Sequence, residues 1–165
     1  MEVVRRRRSI RKYRPDPIPQ AKLDHILEAA RLAPSWANGQ CWTFVVVTDA
    51  KLRHEVGEAG NPWIADAPVI IAACADPRHS GVKEDQDYYL LDIGIAMEHL
   101  VLAAADQGLG TCWIGWFNES KAKKAVGVPA NVRMVALTPV GYPDEEPEPR
   151  PRKTLGEIVC NDRWA

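Results

Sequence analysis

Residues able to do chemistry gather in four short segments of the chain. The first is Arg5-Arg6-Arg7-Arg8-Ser9-Ile10-Arg11-Lys12-Tyr13, a run of guanidinium groups beside a hydroxyl. Arg presents forked donors that match phosphate oxygens, so the run suits an anion site. A solvated basic face or a nucleic-acid patch accounts for the same spacing. The second, Ala33-Pro34-Ser35-Trp36-Ala37-Asn38-Gly39-Gln40-Cys41-Trp42, sets amides and a hydroxyl between two tryptophans. Such a loop can cover a planar ring, or it can be a plain connection whose tryptophans enter the core. The third, residues 108 to 117, carries Gly108, Gly110 and Gly115, which let backbone approach a ligand or merely cap a helix. The fourth, Arg150-Pro151-Arg152-Lys153, can meet the N-terminal arginines around one phosphate, or be a tail balanced by Asp144, Glu145 and Glu146.

Other chemistries find no support. The four histidines are isolated and no H-E-x-x-H pair occurs, so they read as surface or structural residues. There is no G-x-S-x-G elbow, Walker loop or G-x-G-x-x-G fingerprint. The four cysteines form no C-x-x-C pair, which argues against zinc or a redox dithiol and fits a reducing cytoplasm. Asp85, Asp87 and Asp92 read as carboxylates that solvate and cap the start of a helix. A net charge of −1 gives no general drive toward nucleic acid or an anionic membrane, although seven of the first fourteen residues are basic. The charged N-terminus predicts no secretory signal, and no segment is expected to span a bilayer.

The elements that must position these segments follow from periodicity. Residues 2 to 8 predict a short basic helix, and residues 20 to 32 a helix with Leu23, Ile26, Leu27 and Ala30 on one face. The runs 42–47 and 68–75 predict buried strands, separated by a helix over 50–59. A long helix over 85–107 is apolar on most of its circumference. Such a helix must be buried on several sides, which 165 residues can hardly provide, so a second subunit is expected. A strand or extended segment over 111–117, a helix over 119–126 and a strand over 133–140 complete the core, and residues 143–151 predict an extended surface tail. Too few strand–helix units occur for a doubly wound sheet, which leaves a single α+β domain over residues 1–165.

In series, R-R-S-I-R-K-Y, A-P-S-x-x-N-x-Q-x-W, G-L-G-T-C-W-I-G and R-P-R resemble the signature of the nitroreductase family of flavoproteins over almost the whole chain. The resemblance implies an α/β/α sandwich with a mixed, mainly antiparallel sheet, in a homodimer interlocked through the long helix. It implies FMN at the dimer interface, NADH or NADPH as electron donor, and ping-pong transfer to a small oxidised acceptor such as a nitroaromatic, quinone or flavin. A flavin carrier or sensor without turnover is the alternative. Arg7, Arg8, Ser9 and Arg11 then match the first cofactor strip, with Arg7 and Arg11 divided between phosphate and the polar edge of the ring. Pro34, Ser35, Trp36 and Asn38 match the segment laid against the flavin by the other subunit. Ile114 and Gly115 match backbone facing the ring, and Arg150 and Arg152 complete the phosphate site. Cys41 stands where the family usually has proline, and only about ten residues, His79 to Tyr88, occupy the place of a longer insertion in larger members. Asn61 is a candidate for a polar contact to the ring expected before the second strand.

Overall fold

The computed structural model describes residues 1–164. A basic helix α1 (Glu2–Arg6) leads through an extended stretch to α2 (Gln20–Arg31), which presents Leu23, Ile26 and Ala30 inward. Strand β1 (Trp42–Val47) follows, then α3 (Ala50–Gly57), whose first turn is capped by Asp49 accepting from the Leu52 amide. Strand β2 (Val69–Ala75) leads to a two-residue hairpin, β3 (Val82–Lys83) and β4 (Gln86–Asp87), directly before the long helix α4 (Tyr88–Asp106). The short strand β5 (Gly110–Thr111), helix α5 (Glu119–Val126) and strand β6 (Arg133–Gly141) complete the core. Asn118 caps the start of α5, and Gly127 closes it at φ 70°, where a side chain would be strained.

The main sheet has the order β1-β2-β6-β5 with every neighbouring pair antiparallel. The sheet is thus mainly antiparallel, as expected, and its parallel element within the chain is one bridge, between Ser9 and Thr111. There Ile10 donates to the Thr111 carbonyl and packs on Gly110, where a Cβ would come within 2.8 Å of the isoleucine side chain.

Strand β2 is buried along its whole length, and its alternation assigns the layers. Val69 and Ile71 pack with Leu23, Ile26 and Ala30 of α2 and with Ala96, Leu100 and Val101 of α4. Ile70, Ala72 and Cys74 point the other way, toward Val56 of α3, Ala122 of α5 and Leu137 of β6. Helices thus cover both faces, and each fully buried Ile or Leu contributes about 1.5–3 kcal/mol relative to exposure.

Three local expectations are revised. Of the strand or extended segment expected over 111–117, Thr111 alone lies in a strand, because the Cys112 amide bonds the Thr138 hydroxyl at 3.3 Å instead of a ladder carbonyl. Ile114 rejoins β6 through one bridge to Leu137. The helix expected from residue 85 starts at Tyr88, since Glu84 and Asp85 take positive φ values of 52° and 61° in the hairpin turn. Asp92, expected as a solvating carboxylate, is only 1% exposed. It sits on the buried helix face with Tyr89, Ile93 and Ala96.

Helix α4 is also long and apolar enough to cross a bilayer by length and composition. Here it packs on α2 and on the sheet. Its other side leaves Leu90 and Leu91 half exposed, at 50% and 57%.

Candidate functional site

The two ends of the chain meet at one basic cavity of about 440 Å³. Arg5, Arg7, Arg8, Ser9 and Arg11 line one side, and Arg150 and Arg152 the other, with Glu148 the one carboxylate among the lining residues. Two devices bring the segments there. Residues 9–14 are strapped to the edge of the sheet, where Tyr13 bridges Pro143 and the Arg14 amide donates to the Tyr142 carbonyl. Glu145 accepts from the backbone amides of Arg11 and Lys12, which fixes the returning chain against the N-terminal strip. The Tyr13 hydroxyl donates to the Ile10 carbonyl, and burial pushes its phenol above the ordinary range.

The arginines are not equivalent. Arg8 Nη1 donates to the carbonyls of Arg5, Arg6 and Arg7, so this guanidinium terminates α1. The same side chain also lines the cavity. Arg7 is drawn toward α4, where Glu98 Oε1 lies 4.0 Å from its Nε. Among the described residues no carboxylate pairs with Arg5, Arg11, Arg150 or Arg152. Uncompensated guanidinium groups around a single hollow fit a multiply charged anion such as a phosphate monoester.

Pro34, Ser35, Trp36 and Asn38 stand apart from this cavity within the single chain. Ser35 Oγ accepts from the Gln40 amide, and Ala37, Asn38 and Gln40 all adopt positive φ. Trp36 remains 47% exposed. Gly115 lies in a separate hollow of about 420 Å³ with Gly60, Trp116 and Phe117. Ile114 is buried, and its amide and carbonyl both bond Leu137 at 2.9 Å, so its own N–H is engaged. Asn61 gives its side-chain amide to the Trp116 carbonyl at 2.8 Å.

Residues that sequence reasoning missed bind these pieces together. Asp92 accepts from the Trp36 amide and the Ser80 hydroxyl, both at 2.7 Å, and from the Cys41 thiol at 3.6 Å. Burial and the neighbouring Asp92 push the Cys41 thiol up to about 12. The signal for Asp92 was its helical spacing, four residues before Ala96 and three after Tyr89. Burial also raises the Cys112 thiol, while Arg11 and Ser9 act in the opposite direction.

Comparison with known proteins identifies the family and the fold. The sequence pattern described as "Nitroreductase family" matches residues 4–60 and 50–142. A relative from Archaeoglobus fulgidus, whose name pairs NADH dehydrogenase with NAD(P)H nitroreductase, is 34% identical over 152 residues, covering 88% of this chain and 86% of its own. The crystal structure of a nitroreductase family protein from Clostridium novyi NT superposes with a TM-score of 0.83 at 40% identity, over 89% of this chain and 87% of that one. An FMN-dependent nitroreductase from Clostridium difficile R20291 gives 0.85 at 29% identity, over 98% of both chains. The chain belongs to the nitroreductase family.

Proposed function

We propose that this chain is an FMN-dependent oxidoreductase that works as a homodimer, with NADH or NADPH as donor and a nitroaromatic, quinone or flavin as acceptor. The observation that carries the reading is the basic cavity, which joins residues 4–11 to residues 147–152 and holds four arginines that pair with no carboxylate among the described residues. The name of the C. difficile relative, an FMN-dependent nitroreductase, supports the same cofactor. Bound FMN would supply the redox chemistry, a hydride-accepting half-reaction with the nicotinamide and an electron-donating one with the acceptor.

The chain's own residues then bind and orient. Arg7 and Arg11 divide between phosphate and the polar edge of the ring, Ser9 donates to phosphate, and Arg150 and Arg152 close the site. Arg8 serves indirectly by holding the end of α1. Pro34, Ser35, Trp36 and Asn38 come from the second copy of the chain, and backbone at Ile114 and Gly115 borders the ring, with Gly115 supplying the open approach. Nearby cationic and N–H groups stabilise negative charge on a reduced ring.

The dimer reading is supported by the exposed Leu90 and Leu91 of α4 and by a tail that leaves Leu155, Ile158, Val159 and Trp164 uncovered. Large uncovered apolar groups of this kind mark association surfaces. Buried free cysteines Cys41, Cys74 and Cys112 fit a reducing cytoplasm.

Purified protein is expected to be yellow, to bind one FMN per chain, and to oxidise NAD(P)H when a quinone is present. Flavin binding without turnover would instead identify a carrier. A colourless protein that FMN does not titrate would refute the reading.

A further inference from the structure

The loop that holds Trp36 and the turn after β2 interlock at two points, and one buried carboxylate spans them. Gly39 lies so close to the His79 carbonyl that a Cβ there would come within 2.1 Å of its oxygen. Gly81 lies against the Trp36 indole, where a Cβ would approach Cε2 to 2.3 Å. Between these contacts, Asp92 takes one hydrogen bond from each segment: the Trp36 amide on Oδ1 and the Ser80 hydroxyl on Oδ2. The thiol of Cys41, at the base of the loop, reaches the same Oδ2.

Asp92 is almost fully buried, and no Lys, Arg or His pairs with it among the described residues. A buried carboxylate without a cation depends on its hydrogen-bond donors, and these donors come from two different chain segments. The loop, in turn, holds Ala37, Asn38 and Gln40 at φ 46°, 57° and 48°. Non-glycine residues keep such angles only where surrounding contacts enforce them.

We propose that Asp92 is a positioning residue whose carboxylate clamps residues 35–40 to residues 79–81, so that both segments form one rigid wall setting which acceptors can stack beside Trp36. The proposal rests on the reading above that residues 34–38 border the flavin site. In this wall Gly81 fixes the tilt of the indole, and Trp36 offers its uncovered face to a planar oxidant. Acceptor selection then belongs to a packed clamp, with the short β3–β4 hairpin standing outside it.

Hydrogen exchange tests the clamp without requiring flavin. In Asp92→Ala, amides in residues 35–41 and 79–81 are expected to exchange at least tenfold faster, and both segments together. Asp92→Asn, which keeps an acceptor for the Trp36 amide, is expected to restore most of the protection. Should Asp92→Ala fail to fold, Ser80→Ala and Gly81→Ala carry the test. The first is expected to loosen both segments, and the second to shift the Trp36 emission by displacing the indole. In flavin-loaded protein, Gly81→Ala is expected to raise KM for quinones severalfold while kcat falls less than twofold. Unchanged exchange in folded Asp92→Ala, or a change confined to one segment, would overturn the clamp. If exchange couples as expected but FMN does not bind, the clamp stands and the proposed function falls. If FMN binds and turns over while the two segments exchange independently, the reverse holds.

Discussion

Arg7 Nε stands 4.0 Å from Glu98 Oε1, while the other oxygen of Glu98 accepts the Trp113 indole N–H at 3.2 Å. One carboxylate on α4 therefore steadies an arginine of the basic cavity and the glycine-rich segment after the helix. It also competes with any anion for Arg7. Both side chains of the ion pair are partly exposed, so solvent screening keeps its contribution at about 1 kcal/mol or below. Glu98→Gln retains an acceptor for Trp113 and removes the competing charge. FMN is expected to bind up to roughly fivefold more tightly to this variant. Titration at low and high salt checks it, the gain shrinking as ionic strength rises.

Arg152 makes one internal hydrogen bond, a long contact to the Pro151 carbonyl, and pairs with no carboxylate among the described residues. Its side chain is thus available to a ligand and contributes little to the fold. Arg152→Ala and Arg7→Ala are each expected to weaken FMN binding by about 1.5–3 kcal/mol, the loss of a charge-assisted contact. Thermal midpoints of the flavin-free proteins should move little. Equal FMN affinity in both variants and the parent would remove the phosphate assignment.

The thiols give a pH signature. Burial holds Cys41 up to about 12 and Cys74 up to about 11, above the ordinary value of 9.0. The native state keeps these protons where an unfolded chain releases them. Above pH 9 the unfolded state binds fewer protons, so the associated stability is complete below pH 9 and is lost as pH rises through 11 to 12. Denaturant midpoints are expected to fall across that window, and less steeply in Cys41→Ser, which keeps a donor to Asp92. At pH 8 Cys41, Cys74 and Cys112 should resist a thiol reagent in the native protein and react after unfolding.

Leu91 is 57% exposed beside Leu90 on a helix whose opposite face packs into the core. Leu91→Glu places a charge on that face without touching the intrachain core. The variant is expected to sediment as a monomer at concentrations where the parent is a dimer, and to lose FMN affinity with it. A flavin-loaded Leu91→Glu monomer would contradict a shared pocket.

Much of the architecture was legible because its elements have strong local causes. The β-branched and aromatic run 42–47 forms the expected strand, although as an edge strand it buries Val47 alone, and Asn118 and Gly127 bracket α5 at its expected ends. The convergence of the N-terminal arginines with Arg150 and Arg152 was legible too, through residue type and the family resemblance. What escaped was set by tertiary contact. Cys112 leaves the ladder because Thr138 happens to offer a hydroxyl there, which no pattern in residues 111–117 reveals. Asp92 was misread because charge suggested solvent, although its helical spacing put it on the buried face. Arg8 differed from its neighbours only through geometry, its reach to three carbonyls at the end of α1.

The meeting of both chain termini at one basic hollow has a consequence for folding as well as binding. Guanidinium groups drawn from opposite ends of the polypeptide repel one another until an anion sits among them. A phosphate held there would act as a non-covalent staple, closing almost the entire chain into a loop and removing conformational freedom from the ends, as a crosslink does. The cofactor's phosphate would then be a structural clasp in its own right, and even inorganic phosphate, with no ring attached, should slow amide exchange in residues 5–11 and 147–152 together.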